Sequence, residues 1–498
     1  MKSILHMMQH RPKAVLFFLF FVTVLIRLPQ LSRPLSKHHE LNTAAVLTCI
    51  QVWNGNGIGF SNGTPVHMFP GEYNIFQDPA TKYPNLLATG SYLSMGPLSY
   101  MVPWAVFKIL HIPPTAISLR LFMLVLQLLS LFLFYQLVKQ VFKTIYRPKF
   151  TDGKTLSFDA PYYHGLAVVF FIFSPAIMWY MGNAYCHEIM VLPLYLAGLS
   201  TGFKIIQNDY KWHAKSYLVY GSIVAAAVYT DWLGCIAAFV FFVQAISIKK
   251  FRERLPFLAT NAVAVMLPAG IIIWQYSSVV GLAEYRGFFI EQLFHRRQPD
   301  GGVVYIYLDY IKHFITGYGF FFIAAIAGIL FGKVTWNRHL WIMFCIPILH
   351  YFLFKGFSNE HDYSVLKWSP FVIMWAVFCL PQLKKKMQGL TVILMLCFAL
   401  FLYEYLNPPG AKSYSGDRYD WMKKTGERIA ATARPDEYIF VNTPSYYYQV
   451  GWYAKRNYKN VANLEEARRW LSYQTGSKGV YIEPNNSNAY YKVVHFVK

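Results

Sequence analysis

Apolar residues recur along this chain in long runs that carry few charges. The first covers residues 14 to 26. Ten more lie near 116–138, 162–181, 188–203, 217–230, 233–248, 256–275, 317–332, 339–354, 368–382 and 388–405. Because about 20 apolar residues in helical form span a bilayer, the pattern predicts an α-helical polytopic membrane protein of about eleven spans, several of them short. Arg27-Leu28-Pro29 follows the first run without a small-residue cleavage pattern, so that run reads as a retained span. Beyond residue 405 the pattern changes. Helix signals at 416–433, 444–455 and 463–474 alternate with strand signals at 437–442, 458–462, 478–483 and 489–497. This predicts a small C-terminal α/β layer with a mostly parallel sheet, residues 406–498, after a membrane module, residues 1–405.

Composition sharpens this division. Only 14% of residues are charged and 55% are apolar, whereas soluble domains carry about 25% charged residues. A soluble enzyme, a disordered chain and a secreted disulfide scaffold are excluded. Residues 406–498 hold 22 of the 70 charged residues, which suits a water-exposed unit. The six cysteines include no CxxC pair and point to neither a metal cluster nor a disulfide framework. Most of the net charge of +22 gathers in clusters at 1–13, 139–154, 204–215, 249–254, 333–338 and 384–386, and residues 406–498 carry a further +6. By the positive-inside rule the clusters mark the cytoplasm. The N-terminus is then expected inside and the C-terminal domain outside, and the charge reads as topology, with no nucleic-acid partner.

Two segments depart from plain spanning. Residues 28–115 form an outer loop far longer than a connection requires, with amphipathic helix candidates at Leu41–Trp53 and Leu98–Leu110 that suit the membrane surface. Residues 216–248 must go out and return in about 32 positions. Each limb falls short of the roughly 20 residues of a full crossing, so the turn at Thr230-Asp231-Trp232-Leu233-Gly234 is expected at the floor of a protein-lined cavity.

Several acids fall on the outer side of this topology: Glu40, Glu188, Asp231, Glu360 and Asp362. Ionisable groups at membrane depth usually mark a site. Helix capping accounts equally well for Glu40 or Glu188 taken alone, and a solvated loop accounts for Glu360 and Asp362. Nothing in a tight apolar turn demands a carboxylate at Asp231. His38, His39 and His187 beside these acids permit a divalent metal ion, with His187, Glu188 and Asp231 as the candidate ligands, although such histidines are more often simply hydrogen-bonded. Lys82, Arg120, Arg286, Arg296 and Arg297 supply outer-face cations that suit a phosphate; snorkelling explains any one of them as well.

Several stretches occur in the order seen in the GT-C superfamily of membrane glycosyltransferases. They are Arg27-Leu28-Pro29, His38-His39-Glu40-Leu41-Asn42, Met95-Gly96-Pro97-Leu98, Ser118-Leu119-Arg120, Ser174-Pro175 with Asn183 to Glu188, and His361-Asp362-Tyr363 through Pro370. Over residues 1–405 the chain resembles the protein O-mannosyltransferase and aminoarabinose transferase type. It departs from that pattern in carrying His39-Glu40 for an acidic pair and His361 for an arginine. The resemblance implies an inverting glycosyltransferase of the cell envelope, in a bacterial inner membrane. It would move a sugar from a polyprenyl-phosphate donor to a hydroxyl of a glycan, lipid or protein acceptor. On this reading Glu40 is the general base, and Glu188 and Asp231 orient the acceptor or hold a metal. His39, Lys82, Tyr83, Arg120, Arg286, Arg296, Arg297, His361 and Tyr363 contact the substrates. A transporter or lipid-linked sugar flippase is the alternative, since intramembrane acids also make ion relays, but the halves show no internal repeat of the kind such proteins carry. A non-catalytic scaffold that recognises glycans through the tail is a third reading.

Overall fold

A backbone surrounded by lipid has to satisfy its own N–H and C=O groups, so the apolar runs fold as helices. A computed structural model describes residues 11–35, 39–145, 160–211, 213–247, 251–297, 303–331, 336–383, 385–406, 418–443, 445–484 and 491–498. His38, Lys384 and much of the basic clusters at 1–13, 139–154, 249–254 and 333–338 lie outside these residues, as do positions 416–417, 444 and 489–490 of the expected tail elements.

The membrane part runs through α1 (Pro12–Leu31), α2 (Glu40–Asn56), α3 (Leu98–Ile109), α4 (Ala116–Ile145), α5 (Ala160–Ile172), α6 (Pro175–Asn183), α7 (His187–Gln207) and α8 (Ala214–Val228). It continues through α9 (Trp232–Ile246), α10 (Phe251–Val280), α11 (Leu282–Arg297), α12 (Val303–Tyr318), α13 (Phe320–Phe331), α14 (Arg338–Leu353), α15 (Ser369–Cys379) and α16 (Lys385–Leu406). Among the described residues, α1, α4, α7 and α10 are long and apolar enough to cross a membrane. The bent pairs α5–α6 (48°) and α12–α13 (108°) raise the number to six if each pair is one span. The chain is thus an integral membrane protein, but helix length alone does not carry the expected count of eleven. The limbs α8 and α9, 15 residues each, are as short as the sequence predicts.

The long outer loop differs from expectation in one respect. Helix α2 does not lie on a surface: Thr43 to Ile50, Val52 and Trp53 are all buried, because the C-terminal segment covers it. That segment comprises α17 (Arg418–Thr432), β1 (Tyr438–Val441), α18 (Tyr448–Ala454), β2 (Lys459–Asn460), α19 (Leu464–Ser472), β3 (Lys478–Pro484) and β4 (Tyr491–Val497). Its sheet has the order β2-β1-β3-β4. Strand β1 pairs in parallel with β2 and β3, and β4 is antiparallel to β3. Helix α18 packs on α2, and the Tyr453 hydroxyl accepts from the Leu35 backbone N–H at 3.0 Å. Asn457 accepts from the Phe69 N–H and donates to the Phe69 carbonyl, both at 2.9 Å. Gln474 makes the same exchange with Gln77 at 2.7 and 3.1 Å. A side-chain amide that satisfies both backbone groups of one residue fixes the loop in register against the tail.

The junction of α1 and α2 is locked by charge. The Arg120 guanidinium, on α4, donates to the carbonyls of Leu31 at 2.8 Å and Arg33 at 2.7 Å, and to Glu40 Oε1 at 2.7 Å. Arg33 donates to Glu40 Oε2 at 2.6 Å and to Asn183 Oδ1 at 3.0 Å. The Glu40 and Arg120 side chains are both 0% exposed. Removing one partner of a buried ion pair strands the other in a poorly solvated site, at a cost of about 3–5 kcal/mol. Arg120→Met is therefore expected to lower the unfolding temperature of the detergent-purified protein markedly. Thermal unfolding followed by intrinsic fluorescence checks this, and an unchanged transition would refute the lock.

Candidate active site

Asp231 sits where α8 turns into α9. It caps α9, its Oδ1 accepting from the Leu233 N–H at 2.7 Å, as an Asp before an apolar helix is placed to do. The outer loop is pressed onto this turn. The Leu98 N–H donates to the Tyr229 carbonyl at 3.1 Å, and a Cβ at Gly96 would stand 2.2 Å from that carbonyl oxygen. Only glycine allows so close an approach at residue 96.

Glu188 reaches the same place from the first turn of α7. His187 Nε2 lies 3.0 Å from Glu188 Oε2 and 3.6 Å from Asp231 Oδ2. One ligand atom from each of the three residues lies within 4.8 Å of the others, and all three residues are buried. Among the described residues, His187 Nε2, both Glu188 oxygens and Asp231 Oδ2 make no well-aligned hydrogen bond beyond such ion-pair contacts. Unsatisfied buried polar atoms are costly and call for a ligand, ion or water. A ring nitrogen with two carboxylates is a suitable donor set for a divalent ion, so the residues present fit one.

Cations border these acids. Lys367 Nζ stands 3.6 Å from Glu188 Oε1 and 2.9 Å from His350 Nε2. Arg296 is buried on α11, 5.1 Å from the centre of the Phe357 ring, with Lys367 5.5 Å from the same ring. The Tyr92 hydroxyl interacts with Arg296 and Ser94.

A cavity of about 440 Å³ opens beside Asp231. Its walls are apolar residues of α8, α9 and α10, including Val228, Cys235 and Ile272; Met95 and Gly96 come from the outer loop, and Tyr285 and Arg286 from α11. Ile273 and Leu282, which also line it, are 47% and 63% exposed, so the cavity reaches the apolar flank of the molecule. A smaller pocket containing Arg296 adjoins it through Leu93, Ser94, Trp232 and Phe289.

The other expected residues divide into three groups. His39, His361 and Tyr363 gather near the acids. His39 Nε2 lies 2.8 Å from Asp362 Oδ1, His39 stacks with His361, His361 stacks on Phe357, and the Tyr363 hydroxyl accepts from Asn42 at 3.4 Å. Burial, and then the nearby His39, push the His361 imidazole down to about 3. It stands neutral at pH 7 and lacks the charge of the arginine it replaces.

A second group lies on the outside. Lys82 is 77% exposed and 4.0 Å from Glu291, Tyr83 donates to the same glutamate at 2.5 Å, and Arg297 and Glu360 are exposed. The third group is the lock. Both Glu40 oxygens are taken by guanidinium groups, which leaves this carboxylate poorly suited to accept a proton. Arg120 is turned to backbone carbonyls and Glu40, with no exposed face for a phosphate. Glu40 joins the acidic centre only indirectly, through the flanking His39 and Asn42.

Sequence reasoning missed Arg33, His350 and Lys367. The last carried a usable signal, as a lone lysine in the apolar stretch Tyr363 to Phe378.

No protein-family model and no curated protein matches the sequence. Solved structures do match the fold. ArnT, the aminoarabinose transferase of Cupriavidus metallidurans, in a structure bound to undecaprenyl phosphate, superposes with a TM-score of 0.62 at 10% identity, over 97% of this chain and 96% of that one. Its apo form gives 0.58 at 11% identity, over 95% and 92%. The oligosaccharyltransferase AglB of Archaeoglobus fulgidus, in complex with an inhibitory peptide and a dolichol-phosphate, gives 0.53 at 13% identity, over 96% of this chain and 70% of that one. The chain therefore has the fold of these GT-C superfamily members along nearly its full length.

Proposed function

We propose that the protein is an inverting glycosyltransferase that moves a sugar from a polyprenyl-phosphate donor to an acceptor hydroxyl on the extracytoplasmic side of the membrane. The observation that carries this reading is the union at one point of a cavity and a charge pattern. The apolar cavity opening on the flank of the helices accepts an isoprenoid chain, and Asp231 lines it. Arg286 lines the same cavity and Arg296 the pocket beside it. The match to the fold of ArnT in its undecaprenyl phosphate structure supports the donor class.

In this reading the acceptor O–H attacks the anomeric carbon opposite the phosphate. The new C–O bond forms as the sugar–phosphate bond breaks, the proton passes to a carboxylate, and the polyprenyl phosphate leaves with the bonding electron pair. Asp231 is the better base than Glu40. Its Oδ2 is free of hydrogen bonds, and the residue lines the cavity. Arg296 offers a planar donor set for the departing phosphate, where charge accumulates. Glu188 and His187 position the acceptor. A divalent ion held by His187, Glu188 and Asp231 would occupy Asp231 Oδ2 and, as a Lewis acid, would supply the activation of the acceptor hydroxyl in place of that base. The N-terminus is cytoplasmic and the tail extracytoplasmic, in a bacterial inner membrane.

Asp231→Asn is expected to lower kcat about 10²- to 10⁴-fold, the range for loss of a general base, with thermal stability retained. Glu40→Gln is expected to lower stability first. Covalent transfer from polyprenyl-phosphate sugars, followed by mass spectrometry in proteoliposomes, tests both; full turnover by Asp231→Asn removes it from the role. Arg296→Gln should reduce turnover about 10²- to 10³-fold through lost transition-state stabilisation, while Arg297→Gln should leave it nearly unchanged. Equal effects would argue against the assigned phosphate contact.

A further inference from the structure

Lys367 has no part in the steps above, yet it is one of the most confined charges in the molecule. It is 2% exposed and sits in the turn of 3-10 helix Asp362–Trp368 that leads into α15. Its ammonium group has three neighbours: the His350 ring at 2.9 Å, Glu188 Oε1 at 3.6 Å, and the Phe357 face at 5.5 Å. A histidine that accepts from an ammonium group does so through a neutral nitrogen, so His350 orients Lys367 without neutralising it. The positive charge is directed at Glu188.

Glu188 is also the shared member of the His187–Glu188–Asp231 donor set. A divalent ion drawn to that set would meet Lys367 across a single carboxylate, in a buried site where charge interactions are only weakly screened. One of the two carboxylate charges is already balanced. We infer that Lys367 is a resident cation that competes with a divalent ion for Glu188 and so sets the metal affinity of this centre. The inference rests on the donor set proposed above, but not on sugar transfer.

The test is direct Mn²⁺ binding to the full-length protein in detergent, read from the electron paramagnetic resonance signal of the free ion. Mn²⁺-induced thermal stabilisation serves as a second readout. Lys367→Met should bind Mn²⁺ at least about tenfold more tightly than the unsubstituted protein, because a buried like charge has been removed. Lys367→Arg keeps the charge and should bind as weakly as the unsubstituted protein. The double variant Lys367→Met, Asp231→Asn should lose the gain. If Lys367→Met does not fold, Lys367→Gln, which retains a donor toward His350, makes the same comparison. Equal or weaker binding by the neutral variant overturns the inference, as does a gain that survives Asp231→Asn or an absence of binding in both proteins. Because the readout is binding, a failure to detect sugar transfer leaves the result standing, and a failure here leaves the transferase reading in place.

Discussion

Two carboxylates, Glu188 and Asp231, are buried close together beside an apolar cavity that Asp231 lines, and the surrounding architecture is arranged around the cost of keeping them there. Neighbouring acids repel one another, and burial removes the water that would screen them. The structure answers with His187 between them, Lys367 behind Glu188, and a helix N-terminus under Asp231. Arg296 adds charge nearby and lines the adjoining pocket.

Each device depends on an element that ends at the right depth. Helices α8 and α9 are too short to form an ordinary hairpin across a bilayer. Their turn therefore lies within the protein and lifts Asp231 to the cavity. The outer loop holds that turn from the other side, through the Gly96 approach and the Leu98 hydrogen bond to Tyr229. The loop in turn is held by the tail through Asn457 and Gln474. The C-terminal α/β layer thus stabilises the site's roof while lying outside it.

Glu40 shows how one residue type can serve two purposes. An acid opening a long outer loop resembles a catalytic base when read in sequence order. In space, two guanidinium groups occupy both its oxygens and tie α1, α2, α4 and α6 together. Such an ion pair helps specify a single arrangement of the helices, and its net stabilisation is small beside the cost of breaking it.

Much of the fold was legible in the chain itself. The apolar runs, the short limbs around Asp231, and the alternating tail with its mostly parallel sheet follow from local periodicity, which backbone hydrogen bonding turns directly into helices and strands. His187, Glu188 and Asp231 stood out because a charge in an apolar run carries a cost that composition makes visible. What charge partners each acid finds depends on packing between segments far apart in sequence. Arg120 comes to Glu40 across 80 positions, and Lys367 to Glu188 across a still longer interval. Only the tertiary structure decided which acid was locked in an ion-pair network with two guanidinium groups and which came to line a cavity, because electrostatic partnership falls off with distance in space and is indifferent to distance along the chain.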